Sequence, residues 1–280
     1  MPDLKKKEPL KIFTHQYPKW LFDHPRWIRL IYLSNYLTQL RKWHIAKRLK
    51  KLLAKKGDSF SLLDVGCGEG QFLFPYAAAH RNSFFKGLDR AETNISFCKQ
   101  YAKVQQYTHV VFEQTEIESF NESDKYDVSL CLSVLPYCTN DDAALAQLYK
   151  AMKKGGELLL YVPVNNSILL PFYKRIIKKY DNYESIQKNQ KTYTEERVKE
   201  LLYQNHFAIT ETKSTYGFWG KLSNELLNSH FILFNAYALP LKIIVLTSFI
   251  IFYPLILLCM ILDFMLPVQS GNGLMLVAKK

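Results

Sequence analysis

The hydrophobic pattern changes period near residue 60. Over "HPRWIRLIYLSNYLTQLRKWHIAKRLKKLLAKKG", apolar Ile28, Ile31, Leu33, Tyr36, Leu37 and Leu40 recur at helical spacing, and Gly57 supplies a stop signal. One or two helices are predicted there. Beyond it come short apolar runs, "FSLLDVG", "SFFKGLD", "HVVFEQ", "YDVSLCL" and "GELLLYVPV", each followed by a polar or helix-forming segment. Apolar strands alternating with helices predict a parallel sheet covered on both faces. Residues 164–205 interrupt the alternation with helical, Tyr- and Lys-rich sequence, where Thr194 before Glu195 and Glu196 reads as an N-cap followed by acids in the first turn. "HFAITETKST" then predicts a sixth strand and "GLMLVAKK" a seventh.

Between those last two strands the pattern loses its polar positions. "KIIVLTSFIIFYPLILLCMILD" holds twenty uncharged residues between Lys242 and Asp263, and "HFILFNAYALPL" precedes it with a proline at 240. About 20 apolar residues suffice to cross a hydrocarbon core of roughly 30 Å. Proline removes a helix hydrogen bond and clashes with the preceding turn, so Pro254 is expected to divide the stretch into Ile243–Tyr253 and Leu255–Leu262. At about 1.5 Å per residue the first half reaches only about 16 Å, so neither half is expected to span. Three placements are open: a helical hairpin or shallow helices in a membrane interface, helices buried against the protein's own sheet, or a two-pass hairpin.

Composition adds a direction. The 280 residues carry a net charge of +12, and residues 1–60 hold eleven lysines and four arginines against four acids, nearly the whole excess. Trp20, Trp27 and Trp43 lie in the same segment. Basic residues interleaved with aromatics suit an anionic membrane surface or nucleic acid, or else form a solvated helical face whose tryptophans pack on the domain. "MPDLKKKEPL" contains no apolar core of a signal peptide, and the five cysteines form no C-x-x-C pair. A cytoplasmic setting without a disulfide framework or zinc site is expected, and the seven histidines show no metal-ligand spacing.

The first strand runs into "LLDVGCGEGQF", with Asp64, Gly66, Cys67, Gly68, Glu69 and Gly70. Glycines at a strand-to-helix turn let backbone approach a nucleotide closely. The spacing is G-x-G-x-G rather than the G-x-G-x-x-G of dinucleotide folds, and the acids beside it favour a cationic or zwitterionic ligand over a pyrophosphate. The segment resembles the first motif of the class I S-adenosylmethionine-dependent methyltransferases, of the small-molecule and lipid type, and the later strands agree in order and spacing over about residues 60–164 and 206–280.

The resemblance implies an α/β Rossmann-like fold of seven strands, six parallel and the seventh antiparallel, with S-adenosylmethionine as cofactor. It implies that Gly66, Cys67, Gly68 and Gly70 lie under the methionine part, with Asp64 near the amino group. Asp89 would hold the ribose hydroxyls through its two acceptor oxygens, with Arg90 beside the adenine. Glu116 and Ile117 would line the adenine, and Leu132 and Ser133 would stand near the sulfonium. Tyr137 replaces a histidine found in many small-molecule relatives, so it is the candidate catalytic residue and base chemistry is not implied. Cys67 reads as a small filler rather than a nucleophile.

The implied topology bears on the apolar stretch. If the seventh strand pairs beside the others, it lies on the same side of any membrane as residues 60–164, so a single pass at 243–262 is excluded. The expectation is a helical N-terminal extension over 1–59 and a methyltransferase domain over 60–280, carrying a helical insertion at 164–205 and a membrane-associating insertion at 217–266. The expected reaction is methyl transfer to an apolar or lipid-linked acceptor, by a peripheral or monotopic protein on the inner membrane face. No obligate protein partner is inferred. An RNA or protein methyltransferase using the basic N-terminus is the alternative within catalysis, although no N-P-P-Y-type tetrapeptide follows the fourth strand. A non-catalytic membrane-peripheral module is the alternative outside it.

Overall fold

Seven apolar runs become seven strands, and both faces of each central strand are buried. The computed structural model describes residues 19–180 and 191–280. The first eighteen residues of the basic segment, and residues 181–190 of the predicted helical insertion, lie outside that range. The strands are β1 (Ser61–Val65), β2 (Phe84–Asp89), β3 (Val110–Gln114), β4 (Tyr126–Leu132), β5 (Met152–Pro163), β6 (Ala208–Thr215) and β7 (Gly273–Lys279). They form one sheet in the order β3-β2-β1-β4-β5-β7-β6. β1, β2, β3, β4 and β5 pair in parallel, whereas β7 inserts antiparallel between β5 and β6. The expected seven-stranded topology is therefore present.

Helices cover both faces. Against one face lie α1 (Lys19–Asp23), α2 (Pro25–Thr38), α3 (Leu40–Leu53), α4 (Phe74–Ala79) and α5 (Glu92–Val104). There Ile45, Leu49 and Leu52 of α3 share a core with Leu62, Phe85, Val128 and Leu159 of the sheet. Against the other lie α6 (Asp141–Ala151) and α8 (Glu195–Gln204), whose Leu145, Leu148 and Leu201 meet Leu63, Val65, Leu158 and Leu160. Adjacent Leu62 and Leu63 enter opposite cores, as the two-residue period of a strand requires. Thr194 caps α8 as expected, its hydroxyl accepting from the Arg197 N–H at 3.3 Å.

The apolar helical period in the N-terminal segment does not become one buried stripe. A break at Gln39 separates α2 from α3. Ile28 and Leu40 are buried, while Leu33, Tyr36 and Leu37 are exposed. Trp20 and Trp27 are each 53% exposed, whereas Trp43 packs edge-on to Phe264 at 5.8 Å.

A short basic helix α7 (Pro171–Tyr180) follows β5. Between β6 and β7 the chain makes an antiparallel hairpin of α9 (Phe218–Ala236) and α10 (Leu239–Met265). Pro254 does not divide the apolar stretch: α10 runs unbroken through it for 27 residues, about 40 Å. An internal proline costs roughly 3 kcal/mol, and burial beyond it offsets this, because Ile256, Cys259 and Met260 are each at most 1% exposed. The expectation of two short halves is thereby overturned. The topological constraint holds, because Thr215 and Gly273, which flank the hairpin, are register partners in the sheet.

Candidate functional site

Parallel strands put their C-terminal ends on one edge, and the order reverses there between β1 and β4, the usual position of a ligand crevice in open α/β folds. Gly66, Gly68 and Gly70 follow β1 with φ of 66°, 54° and 72°. Gly68 is the informative one: a Cβ built on it meets nothing within 4 Å, so its backbone faces open space. Asp64, at the end of β1, is 2% exposed, and its Oδ2 has no hydrogen-bond partner among the described residues. Burial, reinforced by the nearby Asp89 carboxylate, pushes its pKa well above the usual carboxylate range. A buried, unpartnered carboxylate beside an open glycine loop is suited to a cationic group.

Asp89 ends β2, the strand next to β1, and reaches back to that loop. It is buried, 9% exposed. Its Oδ2 accepts from the Gly68 N–H and its Oδ1 from the Ala91 N–H, both at 2.8 Å. The carboxylate thus shapes the glycine loop, and each oxygen retains a lone pair for a ligand hydroxyl. Cys67 is buried, and hydrogen bonding to Cys98 together with burial holds its thiol well above its ordinary range, so it is no nucleophile.

The remaining candidates divide. Arg90 and Tyr137 are brought together, the guanidinium lying 5.9 Å from the ring centroid. Tyr137 is 43% exposed and sits in a 3₁₀ turn, Leu135–Tyr137, rather than on the helix that follows. Glu116 is exposed, whereas Ile117 is 4% exposed and packed in the core. Leu132 ends β4, and Ser133 after it takes φ +63°, with its N–H donating to the Tyr161 carbonyl at 2.7 Å. A non-glycine residue in that region is a strained conformation. Tyr161 is 3% exposed, and its hydroxyl pairs with Thr215 Oγ1 at 3.1 Å.

Three residues that sequence reasoning passed over close this edge. The Tyr32 hydroxyl of α2 donates to the Glu69 carbonyl at 2.6 Å, Lys42 of α3 donates to Gln71, and Arg41 reaches Ser133. The N-terminal helices therefore stand over the glycine loop. Lys42 is buried, which with the neighbouring Arg41 lowers its pKa to about 7.

The hairpin joins the same edge through buried polar groups. Asp263 of α10 is 2% exposed and accepts from the Tyr216 N–H at 3.1 Å and the Gly220 N–H at 3.0 Å. A Cβ at Gly220 would stand 2.6 Å from that carboxylate, so the approach requires glycine. His44 Nε2 of α3 lies 3.6 Å from Asp263 Oδ2, and Lys213 donates to His44 Nδ1 at 3.2 Å, which leaves Nε2 as the protonated nitrogen. Glu225 of α9 accepts from the Leu169 and Leu170 N–H groups, each at 2.7 Å. Beyond these anchors the hairpin is apolar and uncovered: Ile243, Ile244, Ile250 and Ile251 are each at least 60% exposed.

A family model described as a methyltransferase domain matches residues 56–216, more than half of the chain. The chain belongs to the class I S-adenosylmethionine-dependent methyltransferases. Among curated relatives it is 29% identical over 133 residues to a ubiquinone biosynthesis O-methyltransferase of Rickettsia akari (strain Hartford), covering 48% of this chain and 47% of that protein. The chain thus spans about half the length of that relative. Among solved structures it is similar to the [4+2]-cyclase SpnF, with a TM-score of 0.57, 16% identity and coverage of 84% of this chain and 81% of that one. It is also similar to a Haemonchus contortus phosphoethanolamine N-methyltransferase 2 in complex with S-adenosyl-L-methionine, with a TM-score of 0.54, 16% identity and coverage of 79% and 49%. At such identities the structural likeness establishes the fold, and a cyclase among the neighbours shows that fold alone does not name the reaction. The residues present fit the family's cofactor: the unpartnered Asp64 oxygen suits its ammonium group and the open face of Gly68 gives it room.

Proposed function

We propose that this chain transfers the methyl group of S-adenosylmethionine to an apolar or lipid-linked acceptor that it meets at the inner face of a membrane, as a peripheral or monotopic protein. The observation that carries the reading is the hairpin: a long apolar surface left open to solvent, anchored by Asp263 and Glu225 to the sheet edge that bears the glycine loop. A contiguous apolar surface of this size on a soluble monomer marks an interaction site. Lipid chains satisfy it without directional partners, and α9 with α10 can lie in the interface as monotopic helices do. The likeness to a ubiquinone biosynthesis O-methyltransferase supports an acceptor of small, lipid-like kind.

At the site, Asp64 would hold the cofactor's ammonium group and Asp89 its ribose hydroxyls, while the backbone of Gly66, Gly68 and Gly70 lies beneath it. Bound there, the cofactor supplies an electrophilic methyl group on a sulfonium. The chain's own contribution is positioning. Strained Ser133, fixed by the Tyr161 carbonyl, and Tyr137, under Arg90, stand where they can orient an acceptor. Holding two reactants in line contributes roughly 7–11 kcal/mol to such a barrier.

The test is co-sedimentation of the full chain with phosphatidylglycerol/phosphatidylcholine vesicles, beside incubation with methyl-labelled S-adenosylmethionine and a membrane lipid extract. Sedimentation with label in the organic phase is expected. A protein that stays in the supernatant, or one that labels RNA or protein instead, overturns the reading.

A further inference from the structure

Helix α7 has two faces of different chemistry. Lys174, Arg175, Lys178 and Lys179 stand at helical spacing on one face and are all exposed, while Tyr173, Ile176, Ile177 and Tyr180 on the other are half-buried. Among the described residues no ion pair and no side-chain hydrogen bond engages Lys174, Arg175 or Lys178. Four cations share one open face.

The helix lies along the hairpin. The Leu169 and Leu170 N–H groups, just before α7, donate to Glu225 of α9, and the Tyr180 hydroxyl at the other end lies 3.3 Å from that of Tyr237, where α9 ends. Between these contacts α7 rises by about 15 Å and α9 by about 18 Å, so the two run side by side to the turn of the hairpin. The surface of this unit carries one sign of charge. Residues 164–180 and 217–266 hold six cations and two acids, and the acids, Glu225 and Asp263, are buried and bonded to backbone N–H groups.

Position decides what the cations do. At about 40 Å, α10 exceeds a hydrocarbon core of about 30 Å, so its length permits a hairpin that enters a bilayer tip-first. α7 forbids it. Tip-first entry would carry four cations into hydrocarbon beside α9, where charge is costly. A hairpin lying flat sinks Ile243, Ile244, Ile250 and Ile251 to the boundary of headgroups and acyl chains, and it leaves the basic face of α7 among phosphates. Nucleic acid matches the cations equally well but offers the adjoining apolar helices nothing.

We propose that α7 is a binding surface for anionic phospholipid headgroups and that it holds the hairpin flat in the membrane interface, so that neither α9 nor α10 crosses. This rests on the reading that the hairpin meets a membrane. The hairpin supplies the insertion, and α7 multiplies its affinity by about fivefold for each cation near an anionic surface. Lipid class and depth of approach are both set by this one helix.

The test compares the full chain with a variant that combines Lys174→Gln, Arg175→Gln, Lys178→Gln and Lys179→Gln, on vesicles of phosphatidylcholine with and without phosphatidylglycerol. The variant is expected to bind the anionic vesicle about 100-fold more weakly than the wild type and the neutral vesicle equally. Thermal melts and S-adenosylhomocysteine affinity are expected to be the same for both proteins, since α7 buries none of these side chains. For depth, Ile250→Cys is labelled with nitrobenzoxadiazole, all five native cysteines being buried. Spin labels at the lipid headgroup are expected to quench it more than labels at the end of the acyl chain. Equal affinity of the two proteins for the anionic vesicle, or stronger quenching from the chain end, overturns the assignment and leaves the membrane reading standing. A variant that loses affinity for RNA but not for the anionic vesicle gives the basic face to nucleic acid and overturns it as well. A wild-type protein that binds neither vesicle overturns the membrane reading itself.

Discussion

The glycine loop and the apolar hairpin both join the C-terminal edge of the sheet, and they are held there by opposite means. The loop is short, follows a buried strand, and is shaped by one carboxylate accepting two backbone N–H groups, so its polar groups are largely committed within the domain. The hairpin is long, and its outer surface is open among the described residues; buried polar contacts at its base and the packing of Ile256 and Met260 on Leu40 carry the attachment. Among the described residues, Asp64 at the end of the strand before the loop keeps one buried oxygen without a partner, and the hairpin keeps an apolar face without one. Each is incomplete in a way that specifies what would complete it: a small cation for the first, an apolar phase for the second.

The comparison is broken most directly by cutting the hairpin where its helices touch. His230 Nε2 and Ser248 Oγ are 3.1 Å apart, so residues 231–247 can be replaced by a short Gly/Ser turn without disturbing the base. The trimmed protein is expected to fold, to bind S-adenosylhomocysteine as the full chain does, and to lose essentially all vesicle association. Sedimentation and calorimetry read the two properties separately. Equal vesicle binding by both forms would transfer the membrane contact to α2 and its exposed Trp27.

The base itself is tested by Asp263→Ala. It leaves the Tyr216 and Gly220 N–H groups buried without an acceptor, and breaking such a buried network costs about 3–5 kcal/mol. Urea unfolding of the two proteins should show a loss of that size. A loss under about 1 kcal/mol would mean that apolar packing, not Asp263, holds the hairpin.

On the loop side, Gly68→Val separates stability from binding. No atom lies within 4 Å of the added Cβ, so the ligand-free protein should lose only the strain of a branched residue at φ +54°, roughly 1–2 kcal/mol. The side chain fills the space a ligand needs, and S-adenosylhomocysteine affinity should fall by about 100-fold or more. Equal binding in calorimetry would place the cofactor elsewhere.

The smallest effect concerns Asp64. Burial raises its folded pKa above that of the unfolded chain, so between those two values the native state holds a proton that the unfolded state has released. Stability from this group is therefore present at low pH and is lost as pH rises through the folded pKa. Asp64→Asn should remove the part of the fall in melting temperature that sets in as pH rises above the unfolded carboxylate value, and should weaken S-adenosylhomocysteine binding. A mutant profile parallel to that of the wild type would show that Asp64 does not titrate in this range.

Much of the first region is legible in the amino-acid sequence, because its signals are local. The strand runs, the glycine spacing "GCGEG", the Thr194 cap and an acid ending the second strand each depend on residues close together in the chain. Arg41 is not legible there: it lies 92 residues from Ser133, and on the sequence it is one more cation in a basic helix. Asp263 offers a signal, as the single carboxylate that ends a twenty-residue apolar run, but a charge at such a position marks a boundary equally well.

By itself the sequence determined the order of strands and helices, the residues of the glycine loop and the existence of an apolar insertion between the last two strands, since period, turn chemistry and hydropathy act over a few residues. Tertiary structure alone decided that Pro254 lies within one continuous helix, that Asp89 braces the loop from a buried position, and that Arg41 stands at the end of β4. The physical reason is the same in each case. A local cost such as an internal proline or a buried carboxylate is offset by partners distant in the chain, and those partners exist only once the sheet, α3 and the hairpin have packed.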